Sequence, residues 1–340
     1  MRQAIFTEPW RVAVHTVDDP RPEKGQVLIE VRACGICTWE QRVFRGVRKD
    51  YPLLGGHEIG GVVIETTTKQ KVKVGDVVAV SRLPRCNTCF YCEEGLDNLC
   101  SYFGPARSNN EPWGPAGFSQ YLAVPSEDVF VVSPHVSCEE AALVEPIACC
   151  VRSLRRAGLR RGSLIAVFGI GFMGLLHIAL AKYYGIRVIA VTDQRSATDI
   201  VQAGLVPDLI VTQQTTPDII QALFRRPGVD ASICIRGGME ALQTSMMLTR
   251  PGGRIVVFQS FYHGERLDID PNYIRSRELT ILGTVSHTRR NFAEAARVIG
   301  EHSLSTLPLI TRKFPLSEIA SAMHYACTSD RGRVIIDPLT

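Results

Sequence analysis

Cys86, Cys89, Cys92 and Cys100 crowd four soft ligands into one short segment, interleaved with the turn formers Asn87, Gly95, Asp97 and Asn98. Thiolates at this spacing suit a tetrahedral zinc ion. Four protein ligands leave no position for water, so such a site would hold a lobe (residues 84–101) in shape rather than turn over substrate. Spacing alone leaves open an iron–sulfur cluster, a zinc ribbon or unrelated buried cysteines. Ribbons, however, usually split their ligands into two knuckles separated by a longer run.

A second chemistry-bearing pattern is Gly169-Ile170-Gly171-Phe172-Met173-Gly174, which fits GxGxxG. It follows the apolar run Leu164 to Phe168 and opens a helical stretch. The first glycine can therefore make the tight turn, the second can admit a pyrophosphate, and the third can let helix and strand pack closely. The free amides and positive end of that helix would face the phosphates. Asp193 closes the next strand, about twenty residues beyond the motif, where a carboxylate can accept hydrogen bonds from ribose hydroxyls. A 2′-phosphate would meet that charge, which favours NAD over NADP, with Arg195 able to offset part of the repulsion.

Other reactive residues are mute one at a time. Cys34-Gly35-Ile36-Cys37 could be a redox CxxC, but such motifs open a thioredoxin-like helix, and here the pair follows a strand in a β-rich region. His57-Glu58 sits among Gly55, Gly56, Gly60 and Gly61. Glu145-Pro146 is followed closely by Cys149 and Cys150, two competing ligands. His177 falls on the core face of a helix and reads as packing.

The elements that must position these residues fall into two kinds. Up to about residue 135 the pattern is short β-type runs, such as Val27 to Val31, Ile59 to Glu65 and Val77 to Val80. From Cys138 a helical stretch runs to Ala157 and stops at Gly158, with Arg152, Arg155 and Arg156 suited to a solvated helix end. Strands then alternate with helices. The strands are Leu164 to Phe168, Arg187 to Thr192, Asp208 to Thr212, Val229 to Ile235, Arg254 to Phe258 and Leu279 to Gly283. The helices are Phe172 to Tyr184, Ala197 to Ala203, Asp218 to Phe224 and Glu240 to Leu248, and Ser196 with Asp199 would cap the second. This is the rhythm of a doubly wound, six-stranded parallel sheet. After residue 285, helices Asn291 to His302 and Leu316 to Ala326 and a strand Arg333 to Ile336 exceed what six strands need. They are most economically a tail returning to the first domain. The predicted organisation is a β-rich catalytic domain from 1–146 and 287–340, and a Rossmann domain from 147–286.

Composition narrows the partners. A chain of 340 residues with 45% hydrophobic and 21% charged residues can fill two cores, and a net charge of +4 is too small for a nucleic-acid binder. Eleven cysteines and a start without an apolar leader point to the reducing cytoplasm. The apolar stretch Ser163 to Ala181 is broken by glycines and His177, which argues against a membrane span.

Taken together, Gly35-Ile36-Cys37, Gly56-His57-Glu58-x-Gly60, the cysteine lobe, Gly117-Phe118-Ser119-Gln120-Tyr121, Glu145-Pro146, the glycine turn and Arg250-Pro251-Gly252-Gly253-Arg254 resemble the zinc-containing medium-chain dehydrogenase/reductase family over almost the whole chain. The resemblance implies a GroES-like catalytic domain, a Rossmann domain, a cleft between them, two zinc ions per chain and NAD. It assigns Cys37, His57 and Glu58 to the catalytic zinc site. It places Glu145 where alcohol dehydrogenases carry a cysteine, which is closer to the sorbitol, polyol and threonine dehydrogenase branch. Cys37, His57 and Glu145 would hold the metal, with Glu58 ligating during turnover or tuning it from behind. Gly169, Gly171, Phe172, Met173, Gly174, Asp193 and Arg333 are the implied coenzyme contacts, and a dimer or tetramer is the implied assembly. Zinc lowers the pKa of bound water from about 15.7 to about 7, which is worth ~12 kcal/mol, whereas positioned acid–base help contributes roughly 3 to 5 kcal/mol. The metal therefore dominates.

The sequence departs from the family in the proton relay: where members usually carry Ser or Thr, then an acid, and often His, the places read Trp39, Glu40 and Arg42. Thr38 and Glu40 are the remaining relay candidates. Ile235-Arg236-Gly237-Gly238 also departs, since Arg236 stands where a small residue is usual. The expected activity is hydride transfer between NAD(H) and a secondary hydroxyl or ketone of a polyol, sugar, cyclitol or amino-alcohol-like molecule. The alternatives are an NADPH-preferring carbonyl reductase and a non-catalytic nucleotide or metal sensor.

Overall fold

Val27, Ile29, Val31 and Ala33 lie on one face of the strand Gln26–Gly35 and are fully buried, which makes it the axis of the first folded unit. A computed structural model describes residues 1–68, 72–102, 111–192, 203–261, 264–301, 304, 306–328 and 332–340. In it the chain forms two units, Met1–Ala148 with His287–Thr340, and Cys149–Ser286. Within the first, the sheet runs Ile310–Pro315, Arg333–Asp337, Gln26–Gly35, Glu58–Thr66, Val77–Val80, Val129–Val131, and Tyr121–Pro125 also pairs with Gln26–Gly35. A hairpin, Arg2–Glu8 with Arg11–Thr16, adds a separate ribbon. Arg333–Asp337 lies antiparallel to Gln26–Gly35 with Ile335 opposite Gly35, so the C-terminal tail is delivered beside the Cys37 segment.

The helix expected from Cys138 to Ala157 is two helices, Cys138–Ala142 and Val144–Arg156. Pro146 explains the break: it has no N–H to offer the carbonyl four residues earlier, so the first helix ends and a second begins with the proline in its first turn. Ser137 and Glu140 cap the first helix reciprocally.

The second unit holds six parallel strands in the order Leu209–Val211, Arg187–Val191, Leu164–Phe168, Val229–Cys234, Thr249–Val257, Thr280–Gly283. The order reverses direction between Leu164–Phe168 and Val229–Cys234, and the glycine turn follows the first of these at that switch point. Asp193, Arg195, Ser196, Asp199 and nearly all of the helix expected from Ala197 to Ala203 lie outside the described residues, as does His302. Among the elements that escaped the periodicity reading are the helix Thr38–Phe44, the strand Ile310–Pro315 and the helix Pro271–Arg277. The last carried a signal, since Asp270 caps it and Pro271 occupies its first turn.

The stretch Ser163 to Ala181 resolves into a strand, the glycine turn and the helix Phe172–Tyr183. No helix among the described residues is long and apolar enough to cross a membrane. His177 is fully buried on that helix, its Nδ1 2.7 Å from the Met173 carbonyl and its Nε2 2.5 Å from Ser153 Oγ. Burial pushes its pKa down to about 4, against a smaller upward effect of the Met173 bond. The folded value lies below the unfolded value of 6.5, so stability is lost as pH falls from about 6.5 towards 4. His177→Gln removes this titration. Its stability deficit relative to the parent at pH 7 is expected to shrink by about 3 kcal/mol on reaching pH 4, read by denaturant titration at both pH values; a constant deficit contradicts the assignment.

Candidate active site

Cys37 stands where the strand Gln26–Gly35 ends and the helix Thr38–Phe44 begins, at the N-cap of that helix. His57 precedes the strand Glu58–Thr66, and the glycines around it are spatial necessities. Gly56 has φ +93°, and a side chain there would meet the Phe118 amide at 2.7 Å and Cys34 Sγ at 2.8 Å; one at Gly60 would collide with the Cys138 carbonyl. A side chain at Gly35 would displace the Glu58 carboxylate.

Glu40 is fully buried and ties these segments together. Its Oε1 lies 2.7 Å from His57 Nδ1 and accepts from the Gly56 amide at 2.9 Å, while Oε2 accepts from the Cys37 amide at 3.2 Å. With Nδ1 engaged by a carboxylate, His57 has Nε2 left for a metal, and the tautomer is set by that bond. The oxygens of Glu40, a relay candidate from the sequence, thus meet His57 and two backbone amides, away from solvent. Thr38 is exposed at the first position of the helix, and Trp39 sets its ring edge-on to His57, centroids 5.8 Å apart.

Glu58 and Glu145 also come close to His57. The candidate ligand atoms of His57, Glu58 and Glu145 lie within 4.8 Å of one another, and so do those of Cys37, Glu40 and His57. His57 thus joins two sets, and Cys37 and Glu145 do not fall in one set at that spacing. Glu58 is fully buried, and neither of its oxygens has a hydrogen-bond partner. Burial pushes its pKa up to about 7, with Glu145 and Glu40 adding to the rise and Arg333 and His57 opposing it. For Glu145, burial pulls upward, but His287, His57 and Arg333 outweigh it and hold the carboxyl at about 2. His57 is held well above its usual value because Glu40 and Cys37 outweigh burial, which alone would lower it. A half-buried histidine grouped with three buried carboxyls and a thiol has more negative ligands than positive charge, which is what a divalent cation neutralises. Glu58 Oε2, which has no hydrogen-bond partner, fits the same ion.

Arg333 is buried, with Nη2 2.8 Å from Glu58 Oε1 and Nη1 donating to the Ile36 carbonyl at 2.8 Å. His287, which sequence reasoning missed, is fully buried with Nε2 3.4 Å from Glu145 Oε1. A lone histidine ahead of a helix cap carries no spacing signal; the hint was Thr288-x-x-Asn291, which caps the helix Arg289–Gly300 and fixes where that histidine sits.

The four lobe cysteines bring their sulfurs within 4.8 Å of one another. Cys86 and Cys92 sulfurs lie 3.9 Å apart, as do those of Cys89 and Cys100, far beyond a disulfide bond. Backbone amides point at the sulfurs, Cys89 N to Cys86 Sγ at 3.3 Å and Cys86 N to Cys100 Sγ at 3.4 Å. Amides from Ser101 and Cys92 bring the Cys89 thiol down to about 6, favouring the thiolate that zinc takes. The set fits a closed tetrahedral zinc site.

In the second unit Gly169 has φ +88°, and a side chain there would strike Arg236 at 2.5 Å. Gly171 is the N-cap of the helix Phe172–Tyr183, and its neighbours Phe172 and Met173 form the first turn. A side chain at Gly174 would strike the Gly169 carbonyl. Gly169 and Gly174 are therefore required, and the helix start presents amides with no side-chain cap, as a bound pyrophosphate needs. Arg236 is exposed beside this turn.

Residues 23–134 match the alcohol dehydrogenase GroES-like domain, and residues 173–301 match the zinc-binding dehydrogenase domain. The chain is 27% identical over 334 residues to a sorbitol dehydrogenase of Bacillus subtilis (strain 168), covering 96% of this chain and 93% of that one. It is 28% identical over 326 residues to D-arabitol-phosphate dehydrogenase of Enterococcus avium, covering 94% and 91%. A zinc-binding dehydrogenase structure from Sinorhizobium meliloti 1021, bound to NADP, superposes with a TM-score of 0.88 at 26% identity over 99% of both chains.

The separateness of the two metal clusters gives a direct expectation. Cys89→Ser should remove one zinc equivalent per chain and lower the thermal midpoint while the second equivalent stays bound, measured by elemental analysis after dialysis. Loss of both equivalents, or of neither, counts against two independent sites.

Proposed function

From the premise that the chain belongs to the zinc-containing medium-chain dehydrogenase family, in its sorbitol, polyol and threonine dehydrogenase branch, we propose that it moves a hydride between NAD and a secondary hydroxyl of a polyol, sugar, cyclitol or amino-alcohol-like molecule. The observation that carries this reading is the gathering of buried Glu58 and Glu145 at His57, whose candidate ligand atoms also group with those of Cys37 and Glu40.

Cys37, His57 and Glu145 would hold the catalytic ion, and Glu58 would approach it when a ligand position opens. Zinc bound there supplies Lewis acidity that lets a substrate hydroxyl give up its proton near neutral pH, and NAD supplies the hydride acceptor. The chain's own part is arrangement. Glu40 fixes the His57 ring and anchors the Cys37 turn, so these two side chains would keep their spacing as ligands. Arg333 balances the charge of Glu58 and so keeps a second carboxylate tolerable beside Glu145. Trp39 cannot act as a hydroxyl relay, because its indole is a donor only. Its ring instead walls one side of His57, and the exposed Thr38 is the nearest hydroxyl for passing a proton outward. The lobe cysteines would hold the second zinc. The glycine turn would take the pyrophosphate, Asp193 the adenosine ribose. The reading includes a homo-oligomer working in the cytoplasm.

Purified protein should raise NADH absorbance with at least one member of a polyol, sugar-acid and amino-alcohol panel. Chelation should abolish turnover and zinc should restore it. Tight nucleotide binding with no turnover of any panel member by zinc-loaded protein would leave the sensor alternative standing in its place. Asp193→Ser should improve use of NADP relative to NAD by roughly 10-fold or more, about 1.4 kcal/mol; an unchanged ratio of kcat/KM values removes Asp193 from the ribose role.

A further inference from the structure

His287 is the one buried histidine at the candidate metal centre that the reading above leaves without a task. Its ring is fully buried. Nδ1 lies 3.4 Å from the Thr288 carbonyl, and Nε2, which has no hydrogen-bond partner, lies 3.4 Å from Glu145 Oε1. A contact at that distance is attractive only with the hydrogen on Nε2, and it tightens into a hydrogen bond with a small rotation of either side chain.

The surroundings restrict that ring from three directions. Phe292, itself buried, packs on it with centroids 5.0 Å apart. The next residue, Thr288, is locked in a reciprocal cap: its amide and hydroxyl both donate to Asn291 Oδ1, at 3.1 and 2.8 Å, and its hydroxyl accepts from the Asn291 amide at 3.2 Å. The residue after that, Arg289, gives its backbone amide to Asp97 Oδ2 at 3.0 Å and its guanidinium to Asn87, Glu127 and Asp128 at 3.1 Å each. Asn87 and Asp97 belong to the cysteine lobe. Asp97 is also paired with the buried Arg85, whose Nη1 reaches Ser81 Oγ at 3.0 Å. The histidine is thus referenced to the lobe by a rigid chain of short bonds, and its free nitrogen faces a candidate ligand.

We propose that His287 is a positioning residue for Glu145: it holds Oε1 from behind so that the carboxylate presents its other oxygen to the metal. This rests on the reading of Glu145 as a ligand. The physical logic is that of a carboxylate ligand oriented by a hydrogen bond, whose loss typically weakens metal binding 10- to 100-fold. It also gives the cysteine lobe a role beyond holding its own loop, because the lobe is the surface against which the His287 segment is registered.

The test uses zinc-loaded, full-length protein and competition with a chelator, in which the tighter and weaker zinc equivalents are followed separately. Cobalt exchanged into the weaker site serves as the spectroscopic probe. His287→Leu should weaken retention of the weaker equivalent by roughly 10-fold or more and shift the cobalt bands, with the lobe equivalent unchanged. His287→Gln, whose amide nitrogen reaches the same place, should restore most of both. His287→Asn keeps polarity but withdraws the donor, and should behave like Leu even if Leu folds poorly. The double variant His287→Leu with Glu145→Ala should retain metal no worse than Glu145→Ala alone. Unchanged retention in His287→Leu and His287→Asn, or additive losses with no rescue by Gln, overturns the positioning role. Unchanged retention and cobalt bands in Glu145→Ala would instead overturn the reading of Glu145 as a ligand. A cobalt spectrum losing a nitrogen ligand in His287→Leu would make His287 a ligand itself and also overturn the proposal.

Discussion

The interaction on which the rest depends is the repulsion among carboxylates buried around His57. Glu40, Glu58 and Glu145 are all withdrawn from water within reach of one imidazole, and Cys37 adds a fourth potential anion. Burying one unpaired carboxylate costs several kcal/mol, and clustering three compounds the cost through mutual repulsion. The protein meets this partly with Arg333 against Glu58 and His287 against Glu145. What remains is a demand for a cation, and the candidate ligand atoms of His57, Glu58 and Glu145 lie close enough together to meet it.

The fold answers a geometric problem posed by that cluster. Its members come from the end of one strand, the start of another, the first turn of a helix and the C-terminal tail, and each must arrive without its side chain being pushed aside. Glycines do much of the clearing. A side chain at Gly35 would occupy the place of the Glu58 carboxylate, and one at Gly60 would push the strand off the helix that leads to Glu145. Pro146, by ending one helix and starting another, places Glu145 in a first helical turn, where a carboxylate also gains from the helix dipole.

The departures from the family pattern acquire a consistent sense once the contacts are known. An acid after the usual relay position remains, but here Glu40 orients the histidine and braces the Cys37 turn. Trp39, in place of a hydroxyl, gives the site an aromatic wall, and the guanidinium of Arg48 lies 5.9 Å over its ring. A site shaped this way depends on the metal more than on a side-chain proton chain, which agrees with the relative magnitudes of the two effects.

Local patterns determined a good deal by themselves. The cysteine spacing, the glycine turn after an apolar strand and the strand–helix alternation each express a constraint acting over a few residues, and each was legible for that reason: metal ligation, phosphate approach and backbone periodicity are short-range demands. Cys37, His57 and Glu145 became candidates only by resemblance, since nothing in their spacing connects them. Tertiary structure decided the rest. Whether Glu40 faces a substrate or a histidine, whether Arg333 reaches outward or inward, and that His287 stands behind Glu145 all depend on strand register and on where the tail returns. Ile335 pairs with Gly35 across some three hundred residues of chain. A side chain's role at a buried charged site is set by its nearest opposite charge, and that neighbour is chosen by packing of the whole unit rather than by the sequence on either side.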